Sequence, residues 1–591
     1  MTKNLSTYYQ QRVDAFTTEL KEKQRQSRQL ATIRLGVLAI AIVLFTGIFK
    51  TEFSALMSIG SLVFLTGFIL LVKRHFLVKR DIKRLRFLVS INENELKALA
   101  GDFSFNSEGR HHLNFDHANA FDLDLFGKTS FYQRVYRGTT KEGDEHTANA
   151  ILFPRIEEIE VRQAYLKELS EKVDWRQKYQ AEGLLQQGES GYKGLQSWIE
   201  APLEFANSKV IKYQVLVSPI VFVAIMLLYA FSLIPSAVPT VYFLLQLAMG
   251  GVHLKKINRF HGALSKKQNE LDAYANLLDM TLGEEFVHPV LSDLRNKARG
   301  GSAAIKQFGK LIGLLDSRLN MIMGILLNGA FLWDLRYVRK IENWKLENAD
   351  KLKGWVDVIA QFESHNSFAN YVFNHPEFCW PVTAKEDALN STELGHPFLD
   401  AKNRVCNDFK LLANGQLVLL SGANMSGKST FLRTVGLNLV MAQMGLPVCA
   451  KSFSFKPIPV YTSMRINDSL QESESYFFAE LKRLKYIIDI IKGGKEIFVL
   501  LDEILRGTNS NDKHKGSIGL IEQLTGLKTS GIIASHDITL ASLADKYPEK
   551  VLNRSFEVEN EGGELVFDYT LREGVCQNLN ASYLMKKMGV I

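Results

Sequence analysis

The sequence predicts an α/β domain at its C-terminus, behind a mostly α-helical region that carries two apolar helical hairpins. Three observations predict this. Two long regions without charge fall in the first 254 residues, charged helix-periodic sequence lies between and after them, and short apolar runs alternate with helical stretches in the last third. With 591 residues the chain exceeds a single core, since cores stop growing at about 250 to 300 residues. A hydrophobic share of 46% and a charged share of 23% exclude disordered, collagen-like and fully coiled-coil classes. The four cysteines, Cys379, Cys406, Cys449 and Cys576, form no C-x-x-C pair, so neither a disulfide framework nor a zinc ribbon is predicted and a reducing compartment fits. A net charge of +8 suits nucleic acid, anionic lipid or neither.

Residues 1–34 read as a basic leader. Fifteen uncharged residues follow between Arg34 and Lys50, and twenty more between Glu52 and Lys73. At about 1.5 Å rise per residue the second run spans a hydrocarbon core of about 30 Å, and the first does so when Arg34 snorkels. Residues 35–72 are therefore expected to be a transmembrane hairpin turning at Lys50, Thr51 and Glu52. The 42 residues from Tyr213 to Leu254 lack Asp, Glu, Lys and Arg and are broken by Pro235 and Pro239, which predicts a second hairpin over 213–254. A soluble core helix keeps a polar face; these stretches show none. Lys and Arg cluster at all four hairpin ends (Arg25, Arg28 and Arg34; Lys73 to Arg86; Lys209 and Lys212; Lys255, Lys256 and Arg259), which places both connecting loops outside and the termini in the cytoplasm. The protein is thus expected to be a multi-pass membrane protein with membrane lipid as one partner.

Residues 73–212 and 255–392 read as two parts of a helical lever. Across the end of the second, Glu363 to Asp400 collects Asn, His and Pro, including Asn374-His375-Pro376 and His396-Pro397, and is expected to be a boundary loop region. From 393 to 591 the texture changes. Gln416–Leu420, Glu496–Leu501 and Gly531–Ser535 have the form of buried strands in an α/β sheet. Ser555–Val558 and Leu565–Tyr569, around Gly562-Gly563, predict a hairpin added to that sheet.

The first strand runs into GANMSGKST, Gly422, Ala423, Asn424, Met425, Ser426, Gly427, Lys428, Ser429 and Thr430. Backbone N–H groups that converge on phosphate oxygens need glycine where a Cβ would block approach, and a following helix N-terminus favours the negative charge. Lys428 is placed to reach β- and γ-phosphates of ATP and Ser429 to bind Mg²⁺. Seventy-four residues beyond Lys428, Asp502 and Glu503 end a second strand. Asp502 suits the Mg²⁺ shell, and Glu503 suits polarisation of the attacking water. His536, after the third strand, is a candidate γ-phosphate sensor.

These residues resemble the MutS family of mismatch-repair ATPases. GANMSGKSTFLRTVGLN is similar to the family's phosphate loop and following helix, LLDEILRGTNSNDK to its Walker B segment, and IASHD to its threonine-histidine sensor with serine in place of threonine. NDSLQESESYFFAEL resembles the segment that presents a serine to the partner's nucleotide, here Ser475, and Glu480 matches a following glutamate. ELGHP resembles the domain entry and GVCQNLNASYLMKKMGV its closing helix. DLDLFGKTSFYQRVYRGTT and IEEIEVRQAYLKEL are similar to the start of the helical lever. The resemblance implies an ABC-like P-loop ATPase fold of MutS type, ATP hydrolysis with Mg²⁺, a homodimer through the ATPase domain, and DNA binding.

Departures shape the expectation. Ser473 and Glu474 replace the interface segment's usual glycine and arginine. Arg404 and Val405 stand where an adenine-stacking aromatic is expected before Asn407, leaving Tyr569 as a candidate for one face. The mismatch-reading Phe-x-Glu wedge has no counterpart except Phe478-Ala479-Glu480, inside the ATPase region. DNA binding is therefore expected to be weak and non-specific, and the hairpins occupy the places of the family's DNA-reading ends. The alternative is an ABC-type membrane ATPase, for transport or regulation, with no nucleic-acid role; no segment resembling L-S-G-G-Q precedes the Asp502 strand. A non-hydrolysing nucleotide-binding scaffold is a further alternative, disfavoured by the intact Lys428, Asp502 and Glu503.

Overall fold

The computed structural model describes residues 4–48, 54–185, 193–264, 267–413, 415–465, 476–527, 529–561 and 564–577. Contacts divide the chain into two units. The first comprises Met1–Phe105, Arg137–His146 and Lys172–Asn366, and the second Asn106–Tyr136, Thr147–Glu171 and Ser367–Ile591.

The first unit is helical. Helix α1 (Leu5–Gly47) lies antiparallel to α2 (Ser54–Leu99). One register persists along the pair, from Gly60 against Leu44 and Gly67 against Val37 to the Lys23–Asp81 ion pair at 3.8 Å. At about 1.5 Å per residue α1 is about 65 Å long, about twice the thickness of a hydrocarbon core, with a charged first half and an apolar second half. The charged half of α2 docks on α3 (Val173–Leu185): Asn92 and Gln177 exchange amide hydrogen bonds at 3.0 Å, and Ala181 joins Leu85, Leu88 and Ile91 in a small core.

Helices α4 (Lys209–Ala230) and α5 (Ala237–Val252) form the second apolar hairpin, and α6 (Leu254–Leu264) leaves it at a 63° bend. Among the described residues three helices, α1, α2 and α4, are long and apolar enough to cross a membrane. Helices α7 (Gln268–Gly283), α8 (Gly301–Asp316), α9 (Met321–Phe331) and α10 (Trp333–Asn374) follow, among others. Phe308 of α8 stacks on Trp344 of α10 at 4.2 Å, while Trp175, Phe286 and Phe362 meet edge-on or tilted in a second aromatic layer.

The boundary loop expected from Glu363 starts later, because α10 continues to Asn374 and stops just before Pro376. Polar residues that read as loop, Glu363 to Ser367 among them, are buried on the helix instead. Glu363 accepts the backbone N–H groups of Thr139 and Thr140 at 2.9 and 3.0 Å and both of their hydroxyls at 2.5 Å.

The second unit is α/β. Its strands are β1 (Val382–Thr383), β2 (Asp387–Leu394), β3 (Asn407–Leu412), β4 (Leu417–Gly422), β5 (Ser452–Phe455), β6 (Val460–Ser463), β7 (Phe498–Asp502), β8 (Ser530–Ser535), β9 (Val551–Phe556), β10 (Glu559–Glu561), β11 (Glu564–Val566) and β12 (Leu571–Glu573). A six-stranded sheet runs β12-β9-β4-β8-β7-β6, parallel except for β12, and a four-stranded sheet runs β1-β5-β2-β3. The predicted hairpin is displaced. Ser555 belongs to β9, buried and in parallel register with Ser421; the hairpin pairs Glu559–Glu561 with Glu564–Val566 as a separate ribbon, and β12 is the strand added to the sheet.

Helices α11 (Lys428–Gln443), α12 (Tyr476–Lys492) and α13 (Ser510–Gly526) pack on the central sheet, whose core includes Leu417, Val499, Leu501 and Ile533. Gly436 of α11 is required by close approach: a Cβ there would lie 2.6 Å from Leu123 and 2.8 Å from Leu500. The segment bearing Leu123 also clamps edge strand β6. Asp122 accepts from Thr462 Oγ1 at 2.6 Å and from the backbone N–H groups of Met464 and Arg465 at 3.0 and 2.8 Å.

Candidate nucleotide site

Parallel register brings the ends of β4, β7 and β8 to one sheet edge, with Ser421 opposite Ser535 and Asp502 opposite Ala534. Crevices outside the carboxyl ends of such strands are where α/β sheets bind ligands. The chain leaves β4 through Gly422, where a Cβ would press to 2.9 Å on the Phe556 carbonyl, and reaches α11 through Gly427 at φ +101°. Met425 adopts φ +65°, the left-handed conformation a side chain resists, so the loop Gly422–Thr430 is a sharply curled turn closed by a helix N-terminus.

Within this loop Lys428 is buried. Its Nζ donates to the carbonyls of Gly422 and Ala423 at 2.8 and 2.7 Å, and burial lowers its pKa while Asp502 and Glu503 oppose that shift. Ser429 Oγ donates to Asp502 Oδ2 at 2.5 Å, although 73 residues separate them. Two oxygen ligands at one point suit a hard divalent cation that completes its shell with water and phosphate, so Ser429 and Asp502 fit Mg²⁺.

Glu503 follows with φ +49° and Leu505 with φ +62°. Glu503 Oε1 lies 2.5 Å from His536 Nε2, and Oε2 lies 3.1 Å from Arg506 Nε. The hydrogen bond from His536, assisted by the Arg506 charge against the opposing effect of burial, holds the Glu503 carboxyl down at about 2. On its other face His536 Nδ1 sits 2.9 Å from the Gly422 carbonyl. Thus His536 bridges the loop after β4 to the carboxylate after β7.

The sequence matched Glu480 to a family residue without giving it a role. Buried on α12, it accepts the backbone N–H groups of Leu505 and Arg506 at 2.5 and 3.1 Å and holds the strained turn behind Glu503. Asn407 is a second support: its side chain donates to the Tyr569 carbonyl at 3.1 Å and accepts from Leu571 N–H at 2.7 Å. Tyr569 is thereby placed with its ring against Gly427, at φ +52°. No local pattern reveals either role, because the partners lie far along the chain; ELGHP was the only signal for His396, which lines the same cavity.

That cavity is about 490 Å³ and is lined by His396, Asn403, Val405, Lys428, His536 and Tyr569, among others from the Gly422–Thr430 loop. Its size suits a small-molecule ligand. Burial first, then the charges of Arg433, Arg134 and Arg404, push His396 down to about 4, so it presents a neutral ring at physiological pH. Ser475 lies outside the described residues, as do Ser473, Glu474 and most of the closing segment.

Residues 418–588 match the family model described as MutS domain V. The C-terminal domain is thus similar to MutS domain V. The DNA mismatch repair protein MutS of Thermotoga neapolitana is 32% identical over 243 residues, 40% of this chain and 29% of that protein. Human MutS protein homolog 4 is 28% identical over 235 residues, 38% of this chain and 23% of its own length. MutS of Ehrlichia chaffeensis is 27% identical over 304 residues, 51% of this chain and 35% of the relative. Each match thus spans about a third or less of the relative's length. Within the matched region Phe478 is exposed, while Glu480 of the same tripeptide is buried under the turn at Leu505 and holds that turn.

Proposed function

We propose that the chain is a membrane-anchored MutS-type ATPase that binds ATP with Mg²⁺, hydrolyses it, and uses the cycle to switch the conformation of a homodimer. One observation supports this most: Lys428, the Ser429–Asp502 pair and the Glu503–His536 pair converge at one sheet edge from three separate strands. Nucleotide triphosphate recruits the Lys428 ammonium from the carbonyls of Gly422 and Ala423, while loop N–H groups and the α11 N-terminus bind the phosphate oxygens. Bound Mg²⁺ supplies charge neutralisation between the phosphates, and Ser429 and Asp502 are the residues that would hold it. Glu503, anionic at neutral pH, orients and polarises the attacking water, and His536 positions that carboxylate. Tyr569 offers one face to the base, and Ser475 reaches the partner's nucleotide.

Apolar helices α1, α2 and α4 support the membrane reading, with both termini and the ATPase domain in the cytoplasm. DNA contact in this reading is restricted to phosphates met by basic side chains. The MutS domain match favours this account over an ABC-type transporter or regulator. Nucleotide binding tests it: Lys428→Ala in the full chain in nanodiscs is expected to lose ATP binding by at least about tenfold, the weight of one charge-assisted contact of about 1.4 kcal/mol or more. Unchanged binding by that variant contradicts the assignment.

A further inference from the structure

Fifteen uncharged residues, Leu319 to Trp333, lie between Arg318 and Asp334, and α9 occupies most of them. A straight helix of this length measures about 22 Å, short of the hydrocarbon thickness of about 30 Å. The two flanking charges nevertheless meet: Arg318 Nε lies 3.1 Å from Asp334 Oδ2, and Trp333 Nε1 donates to the Leu314 carbonyl at 2.8 Å. The segment therefore departs from and returns to one place, with a 110° bend between the preceding helices and α9. It is a loop closed by an ion pair, not a crossing.

Its surface is apolar where it projects. Leu319, Met321, Ile322 and Leu326 are 71%, 75%, 67% and 52% exposed, a contiguous apolar patch of the kind that marks an interaction surface. Its far half packs on the second hairpin: Gly329 is so close to Phe243 of α5 that a Cβ would collide with the ring, and Phe331 meets Phe222 of α4 at 5.6 Å. The base is anchored to the same hairpin by Arg336, which donates to the Val215 carbonyl at 2.9 Å. Both helix ends are capped internally. Asn320 accepts from Met323 N–H at 3.1 Å, and Asn328 accepts from Asp334 N–H at 3.0 Å while donating to the Gly324 carbonyl at 2.9 Å. Such caps satisfy backbone groups at both ends of the helix, a condition that lipid imposes because it offers no solvent partner.

We infer that α9 is a re-entrant segment embedded in lipid acyl chains beside α4 and α5, entering and leaving the bilayer on the side where Arg318 pairs with Asp334. The inference rests on the membrane reading of the second hairpin. It extends that reading with a third apolar element that shares the hairpin's lipid face and connects directly into α10, the longest helix after the second hairpin. A protein partner is the competing occupant, and continuity with the hairpin's exposed apolar face favours lipid over it.

The test uses the full chain in nanodiscs of zwitterionic and anionic phospholipid, with Cys379 and Cys406 replaced by serine. Nitroxide labels are placed singly at Ile322, Ile325, Val223 of α4 and Glu347 of α10, and collision with oxygen and with a water-soluble nickel chelate is measured. The expected result is that Ile322 and Ile325 follow Val223, open to oxygen and shielded from nickel, while Glu347 shows the reverse. Ile322 and Ile325 matching Glu347 while Val223 stays lipid-like overturns the inference alone. Shielding of both sites from both reagents assigns α9 to a protein contact and also overturns it. Should Val223 itself be water-like, the hairpin reading fails and takes the inference with it. In sealed vesicles, Lys209→Cys and Glu347→Cys are expected to react with an impermeant maleimide from the same side; reaction from opposite sides makes α9 a span and rejects re-entry.

Discussion

At the scale of single residues, the chemistry depends on carboxylates whose charge is set by their neighbours. Glu503 has an ordinary carboxyl value near 4.5 and is held at about 2, chiefly by its hydrogen bond from His536. A depressed carboxyl stabilises the fold fully above its unfolded value and loses that contribution as pH falls through the folded one. The melting difference between wild type and Glu503→Gln is therefore expected to stay constant from about pH 8 to pH 5 and to narrow only below about 4.5, measured by thermal denaturation across pH. A difference that does not narrow as the pH falls below about 4.5 contradicts the pairing. Gly422–Thr430 and Asp502-Glu503 were legible because their spacing is local and their chemistry needs those residue types. The supports were not. Glu480 meets Leu505 across 25 residues and Asn407 meets Tyr569 across 162, pairings that only the folded sheet creates.

Elements show the same division. The three inner strands β4, β7 and β8 were legible from short apolar runs, since strands buried on both faces carry little else. Helix α10 was misread at its end because Ser, Asn and His suggest a loop, yet here those side chains are buried on the helix. Helix α9 escaped notice because eleven residues are too few for a span and its asparagines interrupt the apolar run. Packing of α11 on Leu123 and Leu500 gives a stability prediction. Gly436→Val is expected to destabilise the second unit by about 1 to 3 kcal/mol through overpacking, seen as a lower melting temperature. Gly519→Ala on α13, with nothing within 4 Å of the added methyl, is expected to stabilise by up to about 1 kcal/mol through helix propensity. The opposite order of stabilities rejects the packing assigned to α11.

For the whole molecule, Asn106–Tyr136 and Thr147–Glu171 group with the MutS domain rather than with the helices around them in sequence, through contacts such as Asp122 on β6 that no linear pattern announces. The apolar stretches, by contrast, were visible at once, since long charge-free helices have few other uses. Glu480 is buried, so Phe478-Ala479-Glu480 does not offer its glutamate to a ligand, and the proposed reading assigns it no part in unstacking bases. Binding to a mismatched duplex is expected to exceed binding to matched duplex by less than about tenfold, roughly 1.4 kcal/mol, and to fall steeply with salt, as measured by fluorescence anisotropy with lipid controls. A larger preference requires a mismatch reader elsewhere in the chain. The central claim, a working ATPase at the β4, β7 and β8 edge, is tested most directly by ATP turnover of the full chain in nanodiscs, wild type against Glu503→Gln. The account predicts retained ATP binding and turnover lower by at least about a hundredfold, because the water-polarising carboxylate is lost while the phosphate cradle stays. Equal hydrolysis by the two proteins contradicts it.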